Sequence, residues 1–422
     1  MQKIPALLMI IVLIVGLFLM RESRMAPLDE VDEMFVDWLA ANTSHNLPTA
    51  RCVLVEINDS SLEDKHAWPW SPLDFALFLQ AILEFEPKVI AIAPVLEWED
   101  QPAGDGEGLR RVQFEHSLDD FILRAKSIVL GADLGFPPDP DVVPPLQPAP
   151  FFRHVRGDAG GLRQFTAIEE EPKEEYRVAP QLALGFLNLP ARNEVTRSMP
   201  LVLNYRGMVV PSFVLQTVLL SMKLTTDDVT VDLGSSVQLG NKGSIPIDGA
   251  GAMRVDFGSP ITRFGFDDLL LAVQQAHSGR PPIVPLDLLR GRVVLLARTD
   301  KAACTLRLPS GREGSPGELF AAAIATIQNQ AFAHRVSALF DLLLIGILTA
   351  LGYFLVRWSL ARVIVISLIV FIFYLLISMM IFGTFLLWFP VLLPAGLFLT
   401  LFVLRLLAPR LWTSREEAGQ KT

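Results

Sequence analysis

At 422 residues, with 51% hydrophobic and only 19% charged positions, the chain is too apolar for an ordinary soluble protein and long enough for one large domain or two or three smaller ones. The formal charge is −9; residues 1–24 carry +2 and residues 335–422 carry +4, which leaves −15 on residues 25–334. So acidic a central region, without a basic stripe or aromatic–basic interleaving, excludes a nucleic-acid partner, and a count of two cysteines excludes a disulfide scaffold.

Residues 4–20, IPALLMIIVLIVGLFLM, are 17 apolar positions without a charge, just long enough to cross a bilayer. A signal peptide is the other reading, but the stretch has no small-x-small cleavage site and runs into MRESR, so residues 1–24 are expected to be a retained anchor. Leu28, Val31, Met34, Phe35 and Trp38 recur at helical spacing, which places a short linker and a helix over 25–47.

Strand and helix then alternate. CVLVEI (52–57) is a continuous apolar run, as expected of a strand covered on both faces. Ser71-Pro72-Leu73-Asp74 is a helix start, with Ser as N-cap, Pro in the first turn and Asp returning to the cap; the helix to about Phe85 is apolar nearly all round and must be buried. KVIAIAPV (88–95) is a second strand, the run around Phe114–Lys126 a helix, and SIVLGADL (127–134) a third strand. This order, with short connections, predicts an α/β domain built on a mostly parallel sheet.

The middle is less regular. GFPPDPDVVPPLQPAP (135–150) is too proline-rich for a helix or strand and predicts an extended surface loop, and EEEPKEEYR (169–177) reads as a solvated charge run. Residues 193–223 predict two strands joined at Tyr205-Arg206-Gly207 and a helix from Ser212; glycines between alternating apolar residues in 229–257 predict inserted hairpins. Asp267–Ala276 is a further helix, GRVVLLAR (291–298) a buried strand, and Ser315-Pro316-Gly317-Glu318 a second capping box.

From Ser337 three spans are expected, at about 338–356, 363–382 and 386–404, within a membrane region 335–408 that ends in a short tail, 409–422. RWSLAR (357–362) and the segment after the last span carry the positive charges, so they belong inside and residues 25–334 outside. The expected topology is four transmembrane helices, N-in and C-in, with too little cytoplasmic chain for a kinase or cyclase domain.

The anchor, VLVEINDSSL (53–62) and WPWSPLDFALFLQAILEFEPKVIAIA (68–93) resemble the opening of the CHASE family of extracytoplasmic bacterial sensor domains, second type. EVTRSMPLVL (194–203), PSFVLQ (211–216), SIPIDGAGAMRVDFGSP (244–260), RGRVVLLARTD (290–300) and SPGELFAAAIATI (315–327) are similar to later family segments in the same order, and the three closing spans fit too. There are departures. Ala93-Pro94 stands where an Asp is usual, Ala297 where a glycine is usual, Cys304 at an expected acidic position, and LRLP (306–309) where a threonine-proline is usual, so an anionic pocket that depends on those carboxylates would be altered. The resemblance implies a membrane-anchored sensory protein that takes a small-molecule or periplasmic protein ligand and signals to a separate cytoplasmic kinase or cyclase; a homodimer is among the states it allows. The alternative is a structural or assembly membrane protein that keeps the fold without binding a ligand.

Open α/β sheets bind ligands beyond the carboxyl ends of their strands. That rule selects Asn58, Asp59 and Ser61 after the first strand, Glu97 after the second, Asp133 after the third, and Arg298, Thr299 and Asp300 after the last. An acidic turn facing Arg298 would clamp a small polar ligand through charge-assisted hydrogen bonds; a structural ion pair is the plainer reading. Trp68 and Trp70 would stack on a ligand or pack against the sheet. The ligand-binding candidates are therefore Asn58, Asp59, Ser61, Trp68, Trp70, Arg298 and Asp300. Glu97, Glu99, Asp100, Asp105 and Glu107 match no calcium-loop spacing, the six histidines pair at no metal-ligand spacing, and phosphate-loop and nucleophile-elbow motifs are absent, so neither a cofactor, a metal nor an enzyme is expected.

Overall fold

Two compact units make up the chain, residues 47–332 and residues 1–46 with 333–422. The computed structural model describes residues 26–43, 47–62, 68–98, 106–137, 149–177, 181–190, 195–309, 311–337 and 360–391, with 339, 340, 343, 344, 346 and 347. The prolines of 138–148 and the anchor at 4–20 lie outside the described residues.

The larger unit is built on one sheet. Its strands are β1 (Cys52–Ile57), β2 (Val89–Ile92), β3 (Ile128–Gly135), β4 (Ala167–Glu170), β5 (Leu182–Phe186), β6 (Thr262–Gly265) and β7 (Val293–Arg298). Six run parallel in the order β6-β1-β7-β2-β3-β5, and β4 pairs antiparallel with the far half of β3. The parallel α/β domain predicted from the apolar runs is thus present. β2 ends before Ala93-Pro94, shorter than the run 88–95, because Pro94 has no N–H to continue the ladder.

Strand alternation divides the core. Cys52, Leu54, Val89, Ala91, Val129, Val293 and Leu295 face one side, while Val53, Val55, Ile90, Ile92, Leu130, Val294 and Leu296 face the other, all buried. The helices are α1 (Ala26–Asn42), α2 (Pro72–Leu83), α3 (Gly106–Arg124), α4 (Phe213–Met222), α5 (Phe266–His277), α6 (Pro316–Asn329) and α7 (Leu360–Phe385). α4 and α6 cover the first face; α2, α5 and the described part of α3 cover the second. Asp74 closes the start of α2 by accepting from the Ser71 N–H at 2.9 Å and its hydroxyl at 2.7 Å. At α6, Ser315 Oγ accepts from the Glu318 N–H and Glu318 Oε2 accepts from the Ser315 N–H, each at 3.2 Å.

Hairpins fill the middle. Val202–Tyr205 and Met208–Pro211 pair antiparallel about Arg206 and Gly207, whose φ values of 52° and 84° suit a tight two-residue turn. Residues 230–232, 236–238 and 244–246 form a meander, joined by 154–156 at one edge. The charge run 169–177 is no free excursion: Glu169 and Glu170 belong to β4, Glu174–Arg177 is a helical turn with Tyr176 buried, and Lys173 pairs with Glu115 at 3.1 Å. The aromatic ring needed burial, and the surrounding charges followed it to the sheet edge.

In the other unit, Phe35, Val36 and Leu39 of α1 pack on Phe382 and Trp388. Val31, Met34 and Trp38, which share the helical spacing, are instead exposed. His334–Arg335 pairs with Leu387–Trp388, Asp32 Oδ1 accepts from the Val391 N–H at 3.0 Å, and Arg335 lies over the Trp388 ring. Among the described residues one helix, Ala361–Phe385, is long and apolar enough to cross a membrane. The expected span at 338–356 is described only in fragments, and the last expected span cannot begin at 386, because Leu386 has a φ of 55° and the next two residues form a strand.

Candidate functional site

At the carboxyl ends of β2, β3, β5 and β7 lies a cleft of ≈ 620 Å³, within the range of about 300–1,000 Å³ typical of small-molecule sites. Ala93 and Pro94 line it after β2, Asp133 on β3, Leu187, Asn188 and Leu189 after β5, and Ala297 and Arg298 on β7. Pro316, Gly317 and Phe320 of α6 close one side, with Trp68 and Arg163 at the mouth. Two glycines allow this geometry. A Cβ on Gly317 would stand 2.6 Å from the Ala297 Cβ, so only glycine lets α6 come this near β7; one on Gly131 would stand 2.5 Å from the Ala93 carbonyl oxygen.

The predicted residues separate in space. Trp68 and Arg298 line the cleft together, with the guanidinium 4.4 Å from the indole centroid. Asp300 is buried and holds Arg298 through two hydrogen bonds, Nε to Oδ1 at 2.9 Å and Nη2 to Oδ2 at 2.8 Å. This is the ion pair within the protein that the sequence allowed, so Asp300 orients Arg298 and does not line the cleft. Trp70 is only 1% exposed and packs edge-on to Phe75 and against Phe266, whereas Trp68 is 37% exposed. Trp70 is a core residue.

Three other candidates serve the turn after β1. Asn58 Oδ1 accepts from the Ser60 hydroxyl at 2.7 Å and the Ser61 N–H at 3.0 Å, with the buried Ser61 hydroxyl also directed to it; Asp59 Oδ1 accepts from the Lys301 N–H at 3.2 Å. None of the three lines the cleft, because the β1 turn sits on the far side of β7. Glu97 is exposed and away from it, and Thr299 is used through its carbonyl, which faces the Cys304 thiol. Cys52 and Cys304 are both free thiols; burial pushes Cys52 up to about 12, and burial first, then Glu318 and Asp300, raises Cys304. Glu99, Asp100 and Asp105 lie outside the described residues, and among those described no group of His, Cys, Asp or Glu side chains is placed to hold a metal ion.

Asp133 carries the cleft's negative charge. Burial, then Glu170 and Glu169 on β4, push its carboxyl up to about 6. It shares a strand face with Gly131, beside Ala93, and so brings a carboxylate near the position where the family pattern led one to expect it. Arg163 and Asn188 were not selected from the sequence, since nothing in their neighbourhoods marks a strand end. Asn188 stitches the end of β5 to β3: its Nδ2 donates to the Leu134 carbonyl at 2.7 Å and its Oδ1 accepts from the Leu134 N–H at 3.0 Å. Arg163 donates to the Leu189 carbonyl at 3.1 Å and lies over the Phe165 ring.

A second charged cluster stands at the start of α6. Glu318 Oε1 accepts from Arg263 at 2.8 Å and from Arg312 at 3.0 Å, and Glu56 on β1 pairs with Arg263 at 3.4 Å. Burial alone would raise Glu318, but hydrogen bonds from Arg263, Arg312 and the Ser315 N–H prevail and hold its carboxyl below the usual range. Glu56, with burial dominant over Arg263, is held above it. Every member is answered from inside, so this cluster locks the helix to the sheet.

No curated protein and no solved structure is similar enough to this chain to count as a match. The family model described as the CHASE2 domain matches residues 9–358, most of the chain, and the protein belongs to the CHASE2 domain family.

Proposed function

We propose that this protein is a membrane-anchored extracytoplasmic receptor that binds a small molecule in the cleft and signals to a separate cytoplasmic protein, a kinase or a cyclase. CHASE2 domains are an extracellular sensory family. The observation that carries the reading is the cleft itself, at the carboxyl edge of a parallel sheet and lined by Asp133, Arg163 and Arg298. In the proposed topology four helices anchor the chain in the inner membrane, N-in and C-in, with the sheet outside. α6 supplies a route for the signal, since it starts at the cleft and only three residues separate its end from the unit that holds α7. A ligand shifts the spans only by binding one arrangement better than the other.

Reporter fusions test the placement: one at residue 160 should report outside and one at the C-terminus inside, and a cytoplasmic residue 160 would sink the receptor reading. A second reading, a structural membrane protein with the same fold, draws on Arg298, whose guanidinium is already engaged by Asp300. A saturable thermal shift of the full-length protein with any small molecule, lost on filling the cleft by Ala93→Trp, decides for the receptor.

A further inference from the structure

The polar groups facing the cleft divide by whether the protein satisfies them. Both ends of the Asn188 amide are engaged by Leu134, and Arg298 is engaged by both oxygens of Asp300 while it lies on Trp68. Two charges remain. Among the described residues the Asp133 carboxylate has no hydrogen-bond or ion-pair partner, and Arg163 has one carbonyl and one aromatic ring but no carboxylate. The neighbours that bear on Asp133 are Glu170 and Glu169, both of its own sign.

Those two unanswered charges define what fits. An anion would satisfy Arg163 and be repelled by Asp133 with the two glutamates behind it. A cation would satisfy Asp133 but make no use of Arg163, which is exposed and, beyond that carbonyl and ring, then answered by water alone. A molecule bearing both charges answers both and brings no net charge into the cleft. The rest of the wall, including Leu187, Leu189 and Phe320, is apolar and suits an apolar body between or beside the two ends.

Resting on the receptor reading, we propose that the cleft takes a small zwitterion, an ammonium and a carboxylate on an apolar body, as in a free α-amino acid or a short peptide. The ammonium sits at Asp133, the carboxylate at Arg163, and the apolar side chain lies along Leu187 and Phe320. Asp133 and Arg163 are then the residues that set ligand class, and Asn188 is a positioning residue that holds β5 against β3.

Isothermal titration of the full-length protein in detergent at pH 7.5 provides the test, with L-leucine, L-phenylalanine and L-alanyl-L-phenylalanine as probes. N-acetyl-L-leucine lacks the ammonium and L-leucinamide lacks the carboxylate. Saturable binding of a zwitterion is expected, weakened about tenfold or more when either terminus is blocked, and likewise by Asp133→Asn or Arg163→Gln. The ratio of leucine to dipeptide affinity separates the two sources. The blocked compounds are tested on the unaltered protein, so a folding defect in a variant does not obscure the result. N-acetyl-leucine binding as tightly as leucine, or an unchanged Asp133→Asn variant, overturns the zwitterion and leaves the cleft to another ligand class. Silence of every zwitterion overturns the proposal as well, and if a broad metabolite set is equally silent the receptor reading falls with it.

Discussion

Asp133 costs the folded protein stability at neutral pH, and the sign of that cost can be measured. Its carboxyl is raised to about 6 when folded, against an ordinary value of 3.8, so the folded form binds the proton more tightly. The contribution to stability is therefore complete below the unfolded value and is lost as pH rises through the folded one. The groups facing it are Glu169 and Glu170 on β4, both of the same sign. Replacement by Asn should raise the unfolding free energy by roughly 1–2 kcal/mol at pH 8 and leave it nearly unchanged at pH 4, read from denaturant curves at the two pH values. The two tryptophans should part company in the same assay. Trp70→Ala empties a core site and should cost about 3–5 kcal/mol, whereas the exposed Trp68→Ala should cost under about 1 kcal/mol. Both stood as candidates in WPW; the motif does not say which ring turns inward, because that depends on where Phe75 and Phe266 end up.

At the scale of elements, local chemistry was legible. The two Ser-Pro-x-acid starts close as capping boxes, the continuous apolar runs form strands covered on both faces, and Tyr205-Arg206-Gly207 marks the hairpin turn. α6 carries the more consequential cap, since its Glu318 also accepts from two arginines. Ser315→Ala should lower stability by about 1 kcal/mol, and Glu318→Gln by roughly 2–3 kcal/mol because it weakens charge-assisted bonds to Arg263 and Arg312 together. Glu318 is depressed when folded, so its contribution is present above the unfolded value and disappears as pH falls through the folded one; the difference between Glu318→Gln and the parent should narrow towards pH 3 in thermal melts. The charge run 169–177 was half legible at this scale: Glu169, Glu170 and Glu174 stay exposed, but the segment is no free excursion. Composition reports solvation on average, but one tyrosine and one strand edge were enough to bring it in.

For the whole molecule, the two units invite separate perturbation. Asp32 receives the Val391 N–H and lies 4.0 Å from Arg335, so it ties α1 to the segment after α7 within one unit. Asp32→Ala should speed limited proteolysis near 334–335 while leaving hydrogen exchange in β1, β2 and β7 unchanged; protection lost throughout the sheet would contradict independent units. The amino-acid order by itself determined β1, β2, β3 and β7, the helices and their caps, the apolar segment of α7 and the family, since each depends on residues a few positions apart, on backbone hydrogen bonding or on an ordered set of motifs; β4, β5 and β6 carry no such local pattern and were placed only by the sheet they join. Only the tertiary structure decided the cleft. Its sheet runs β6-β1-β7-β2-β3-β5, so neighbours in space are distant in sequence, and the turn of Asn58, Asp59 and Ser61 falls beyond β7 while Asp133 and Arg163 come to one opening. Which charges find partners follows from that crossing order, and no local pattern records it.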